Sequence, residues 1–138
     1  MKLVRYGAVG QEKPGLLDAP GRIRDLSGTV KDINGDALSP AGLAKLKALD
    51  PASLPLVDGN PRLGAPVGDI TKFVAIGLNY ADHAAEAGMA IPSEPIVFIK
   101  ANTSLCGPND NVEKPRGSTK LDWEVELAII IGTKAKYV

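Results

Sequence analysis

The chain has 138 residues, with sixteen basic and sixteen acidic side chains and a formal net charge of zero. Its 44% hydrophobic and 23% charged fractions are those of a globular chain of one domain, or of two small ones, and exclude a disordered or fibrous protein. With no basic excess there is no electrostatic footprint for nucleic acid, and no polybasic segment to hold an anionic membrane.

The N-terminus, Met1 to Tyr6, is charged within five residues and lacks the apolar stretch of a signal peptide. Leu3–Tyr6 and Gly15–Leu17 read as short strands, and Asp18-Ala19-Pro20-Gly21 as a turn before a third, Arg22–Leu26. Ser39-Pro40 opens a helix, with Ser39 as N-cap, Pro40 at the first helical position, and Leu43, Leu46 and Leu49 on one stripe. Asp50-Pro51 ends it, because the residue before proline is pushed out of the helical region. From Asp50 to Gly68 the chain is aperiodic, with prolines at 51, 55, 61 and 66, and reads as a linker. Phe73–Ile76 reads as a buried strand, Tyr80–Ala87 as a short helix with Asn79 as N-cap, and Ile96–Ile99 as another strand. Gly107-Pro108-Asn109-Asp110 marks a loop. Cys106 is alone, so no intrachain disulfide forms, and it reads as a buried small hydrophobe. The longest apolar run, Leu127–Ile131, falls far short of the ~20 residues of a membrane helix, so a soluble, cytoplasmic protein is expected.

The segment from Lys120 to Gly132 is the most informative. Every odd position from Leu121 to Ile131 is apolar, a strict period of two that predicts a strand with one face in the core. Trp123 belongs to that packing face. The even face starts with Asp122, Glu124 and Glu126, then turns apolar at Ala128 and Ile130. Carboxylates two apart on one strand face lie roughly 7 Å apart and can converge on one cation. An all-oxygen pair suits Mg²⁺, Mn²⁺ or Ca²⁺ rather than Zn²⁺. The alternative is that the three acids form the wetted face of an edge strand.

A second constellation surrounds His83, the sole histidine. On a helix His83 and Glu86 share a face, so the carboxylate can accept the imidazole N–H and fix its tautomer, making a general base for water. The alternative is an exposed helical turn with both side chains in solvent.

Taken in series, the blocks Ile76-Gly77-Leu78-Asn79-Tyr80-Ala81-Asp82-His83, Glu94-Pro95-Ile96-Val97-Phe98-Ile99-Lys100, Gly107-Pro108 and Leu121-Asp122-Trp123-Glu124-Val125-Glu126-Leu127 resemble the fumarylacetoacetate hydrolase family. The opening, Lys2 to Gly7 with Pro14 to Asp18, looks like its bacterial two-part members, labelled ureidoglycolate lyase or diketo-sugar-acid hydrolase. Leu78, where some relatives carry Arg, fits that subgroup.

The resemblance implies an α+β, β-rich protein: a small N-terminal domain with linker over residues 1–66, then over 67–138 the beginning of a mixed β catalytic fold. It implies Mg²⁺ or Mn²⁺ held by Glu124 and Glu126, with His83 and Glu86 as the catalytic base and its partner. The implied substrate is a small 2-oxo or 2,4-dioxo acid whose C–C bond is hydrolysed, with C–N cleavage of ureidoglycolate as the alternative. No nucleic acid or membrane partner is implied, and the complete protein is expected to be a homodimer. Complete members are roughly twice as long and carry a third metal ligand, an Asp, on a later strand. The chain is therefore expected to hold only the opening part of the catalytic domain, and to be inactive alone.

Overall fold

A computed structural model describes residues 1–138. The chain divides into two compact units, Met1–Asp69 with Cys106–Val138, and Ile70–Leu105. The first boundary falls three residues beyond the expected 1–66 division, and residues 106–138 group with the N-terminal unit instead of with 70–105.

In the first unit Lys2–Tyr6 (β1), Lys13–Leu17 (β2) and Ile23–Asp25 (β3) form an antiparallel sheet in that order. Leu3 lies opposite Leu16, and Leu16 opposite Arg24. The turn between β2 and β3 closes through Gly21 N–H donating to the Asp18 carbonyl at 2.9 Å. Gly21 supplies the left-handed φ of 86° that the turn requires. Asp18 Oδ2 also accepts from Arg22 Nε and Arg24 Nε, both at 3.0 Å.

Two short helices cover this sheet. Gly35–Leu38 (α1) starts where the Asn34 side chain accepts the Asp36 and Ala37 N–H groups. In Pro40–Lys47 (α2), Ser39 Oγ caps Gly42 N–H at 3.1 Å and Pro40 takes the first helical position, as its sequence predicts. Leu16, Leu26, Ile33, Ala37 and Leu46 form the core, with Leu3, Val30, Leu38, Leu49 and Leu54 packed around it. Leu26 and Leu46 are buried to within 2%.

The Pro-rich stretch from Asp50 is not a free linker. After a 3₁₀ turn at Pro51–Ser53 it runs along both edges of the sheet. Asp25 N–H donates to the Pro55 carbonyl and Val57 N–H to that of Ile23, both at 2.9 Å, along β3. Gly64 N–H donates to the Arg5 carbonyl at 2.8 Å, along β1. Proline cannot donate to a ladder, but its neighbours can, and so the stretch covers edges that would otherwise be open.

A chain of ion pairs crosses the same unit. Asp32 takes the Arg5 guanidinium on both oxygens, at 2.8 and 3.0 Å. Glu12 lies 3.7 Å from Arg5 and accepts from Arg62 Nη1 at 2.9 Å. Arg62 in turn grips both oxygens of Asp110 at 2.6 Å. Asp110 Oδ2 also accepts the Gly107 N–H at 2.7 Å, which closes the predicted Gly107–Asp110 loop.

In the second unit Phe73–Gly77 (β4) and Ile96–Lys100 (β5) pair antiparallel, Phe73 opposite Lys100 and Gly77 opposite Ile96. Between them lies Ala81–Glu86 (α3), with Ala84 buried beneath it. The five strands and three helices make an α+β chain, as expected from the sequence.

Three expectations are corrected. Residues 111–138 contain no helix or strand, so the alternating segment 121–131 is not a strand here. Trp123, expected in the core, is 81% exposed, and Val125 80%. Alternation determines which side chains share a face but supplies no partner, and a strand exists only where a neighbour takes its backbone hydrogen bonds. Cys106, expected to be buried, is exposed, next to the Gly107–Asp110 turn.

Candidate functional site

β4 ends at Gly77, and Leu78 turns the chain with a left-handed φ of 47°. That conformation is rare for a side-chain-bearing residue and concentrates at functional turns. It sets the entry into α3 one residue later than the sequence suggests: Tyr80, not Asn79, is the N-cap, and no side chain caps the helix. Met89 N–H returns to the Ala84 carbonyl at 2.9 Å, and Gly88, with φ of 64°, ends the helix.

His83 and Glu86 stand three residues apart on this short helix, both exposed. The hydrogen bonds at His83 are made by its backbone, its N–H donating to Asp82 Oδ1 at 2.9 Å and its carbonyl accepting the Ala87 N–H at 3.0 Å, and not by its imidazole to Glu86. Beside the helix start is an open cleft of about 290 Å³, lined by Leu78, Asn79, Ala81, Pro92, Ser93 and Glu94. Its wall includes the start of the Glu94-Pro95 block.

Glu124 and Glu126 lie in the other unit, on the exposed segment without regular structure. No group of three or more His, Cys, Asp or Glu side chains is placed to hold a metal ion. Two hard oxygen donors on a segment without regular structure are a partial set, so the residues present do not by themselves make a divalent-cation site. Lys100, the last residue of β5, places Nζ 6.0 Å from the centroid of the Phe98 ring.

The charged cluster that the sequence reading missed is Arg5, Glu12, Asp32, Arg62 and Asp110. Burial pushes the Glu12 carboxyl up, but Arg62 and Arg5 outweigh it and hold Glu12 below its ordinary value. Arg62, helped by the Gly107 N–H, holds Asp110 below its own. Its members lie too far apart in sequence for any spacing motif; only Asp110 carried a local signal, as part of a turn.

Residues 72–138 match the family described as fumarylacetoacetate (FAA) hydrolase C-terminal. Over all 138 residues the chain is 66% identical to proteins of Burkholderia cenocepacia (strain HI2424) and Burkholderia ambifaria (strain AMMD), named as hydrolases with no substrate stated. It covers 49% of each, so the chain spans about half the length of the curated relatives it matches. The crystal structure of a protein assigned as HpcE from Mycobacterium smegmatis superposes with a TM-score of 0.61 at 25% identity, over 86% of this chain and 42% of that one. The matched residues 72–138 contain both the His83–Glu86 helix and the Glu124–Glu126 pair, so this part of the chain is similar to the fumarylacetoacetate hydrolase family.

Proposed function

We propose that this chain supplies the His83–Glu86 helix and the Glu124–Glu126 pair to a hydrolase that cleaves a C–C bond in a small 2,4-dioxo acid. The observation that supports this reading is the match of residues 72–138 to the fumarylacetoacetate hydrolase C-terminal family, a span that includes both motifs. His83 takes a proton from water as the oxygen attacks the distal carbonyl. The C–C bond then breaks, its electron pair leaves on the carbon next to the 2-oxo group, and the imidazolium returns the proton there. Glu86 orients the imidazole once the helix is covered.

Glu124 and Glu126 are the carboxylate part of a Mg²⁺ or Mn²⁺ site, which when complete would supply Lewis-acid chemistry to the 2-oxo acid. The remaining donors come from outside these 138 residues. On this reading the 138-residue chain is silent alone.

The test joins residues 1–138 to the C-terminal half of the Burkholderia cenocepacia relative and follows acylpyruvate cleavage with Mg²⁺, Mn²⁺ or EDTA. Metal-dependent cleavage is expected, with His83→Gln lowering turnover roughly 10²–10⁴-fold at unchanged metal affinity. Glu124→Gln and Glu126→Gln should each weaken Mn²⁺ binding measured calorimetrically. Full turnover in His83→Gln, or undiminished Mn²⁺ affinity in both glutamate variants, overturns the assignment. Steady turnover by the 138-residue chain alone overturns its dependence on further residues.

A further inference from the structure

The Asp32–Arg5–Glu12–Arg62–Asp110 ion chain has an arrangement that stability alone does not require. Residues 70–105, which carry His83 and Glu86, are one continuous stretch, so the chain enters that unit once, after Asp69, and leaves it once, before Cys106. The ion chain runs from one crossover to the other. At the entry, buried Gly68 donates its N–H to the Ile33 carbonyl at 2.8 Å, and a Cβ there would stand 2.5 Å from Asp32 Oδ2. Arg5 holds that same carboxylate. At the exit, Asp110 accepts the N–H of buried Gly107, where the Leu63 carbonyl leaves no room for a Cβ. Glu12 joins Arg5 to Arg62 between the two ends. Arg62 is itself set in the sheet edge, its carbonyl accepting the Gly7 N–H at 2.9 Å. None of the five side chains is more than 25% exposed, so salt screens the pairs only weakly. Beyond the crossovers, Asn102 Nδ2 donates to the Ile70 carbonyl at 3.0 Å and ties the two arms together at the Phe73–Lys100 end of the hairpin.

We propose that this ion chain fixes both crossovers, and that Arg62 is thereby a positioning residue for the reaction. It touches neither substrate nor metal, and acts by limiting the motion of the unit that carries His83. A unit joined to the rest by two covalent arms swings if either arm slides, and a reacting group displaced by about 1 Å can lose roughly 10²-fold in rate. Arginine suits the task. Its planar fork takes both Asp110 oxygens and still offers Nη1 to Glu12, whereas a lysine ammonium is a point charge without that geometry. The effect on turnover rests on the hydrolase reading; the anchoring does not.

Two measurements test it. In the 138-residue chain, nitroxide labels at exposed Lys47→Cys and Val97→Cys, in a Cys106→Ser background, report one distance in each unit's frame by double electron–electron resonance. Arg62→Met and Asp110→Asn should each broaden the distance distribution, and Arg62→Lys should fall between them and wild type. Leu26→Val, which weakens the core and leaves the ion chain intact, should not broaden it. In the protein joined to the C-terminal half of the relative, Arg62→Met should lower kcat for acylpyruvate roughly 10–10²-fold, with KM and Mn²⁺ affinity unchanged. In a His83→Gln background the same change should cost far less, because both act through one group. An unchanged distribution in Arg62→Met and Asp110→Asn overturns the anchoring, as does equal broadening by Leu26→Val. Equal losses of kcat in both backgrounds, or a raised KM at unchanged kcat, overturn the positioning role. Absence of cleavage by the joined protein without substitutions overturns the hydrolase reading and with it the effect on turnover, while the distance distributions still decide the anchoring.

Discussion

The β1–β2–β3 sheet and the β4–β5 hairpin both form antiparallel ladders, yet only the first has a core. Against the three-stranded sheet, α1 and α2 bury Leu26, Ile33 and Leu46 almost completely, and the Pro-rich stretch covers both sheet edges. The hairpin pairs five residues with five but leaves Val97 62% and Ile99 70% exposed on one face and Phe98 44% exposed on the other. A ladder settles the backbone; stability comes from a second layer that removes apolar side chains from water. Residues 121–131 stand one step further back, with the alternation of a strand and no ladder at all. Pattern, pairing and packing are three separate achievements, and this chain shows each stage.

That comparison breaks if the N-terminal core is not where stability resides. Leu26→Ala should cost about 2–5 kcal/mol in urea unfolding, the range for a fully buried leucine leaving a cavity. Gly15→Ala should come next. A Cβ there would sit 2.9 Å from Ile23 Cγ2, 3.0 Å from Tyr6 Cδ1 and 3.1 Å from Val4 Cγ2. Three side chains must give way at once, an overpacking cost of roughly 1–3 kcal/mol.

The ion-pair chain sharpens the comparison through pH. Glu12 and Asp110 both have folded pKa values below their unfolded ones, so their contribution is present above about pH 4. It is lost as the pH falls through the depressed folded values. Arg62→Met removes the cation both carboxylates share, so its stability should fall below wild type at neutral pH and converge with it in acid. Acid titration followed by far-UV circular dichroism checks this; parallel curves at all pH values would show that the pairs are inert. The smallest effect is expected in the hairpin. Ile99→Ser, at a 70% exposed position, should change unfolding free energy by no more than about 0.5 kcal/mol. A loss as large as that of Leu26→Ala would mean that the hairpin is packed after all.

Local chemistry wrote several elements plainly. The Ser39-Pro40 helix start, the Asp18–Gly21 turn and all five strands that form are marked by caps, turn residues and apolar runs acting within a few positions. Two further expectations missed for one reason. Asn79 is a good N-cap residue, but the left-handed turn at Leu78 moves the helix entry to Tyr80. The prolines of residues 51–66 suggest a linker, but the intervening residues bond to both sheet edges. Each outcome depended on a neighbour that propensity does not see.

The site divides in the same way. By itself the sequence determined the family motifs, the residue types that could do acid–base work and bind a hard cation, and the period-two face on which Glu124 and Glu126 stand. Tertiary structure alone decided that Arg5, Glu12, Arg62 and Asp110 meet, that Trp123 faces solvent, and that no three metal donors converge within these residues. The physical reason is range. Caps, turns and alternation act over one to four residues and are written in local order. A salt-bridge chain, a strand's partner and a metal site each require groups far apart in sequence to arrive at one place.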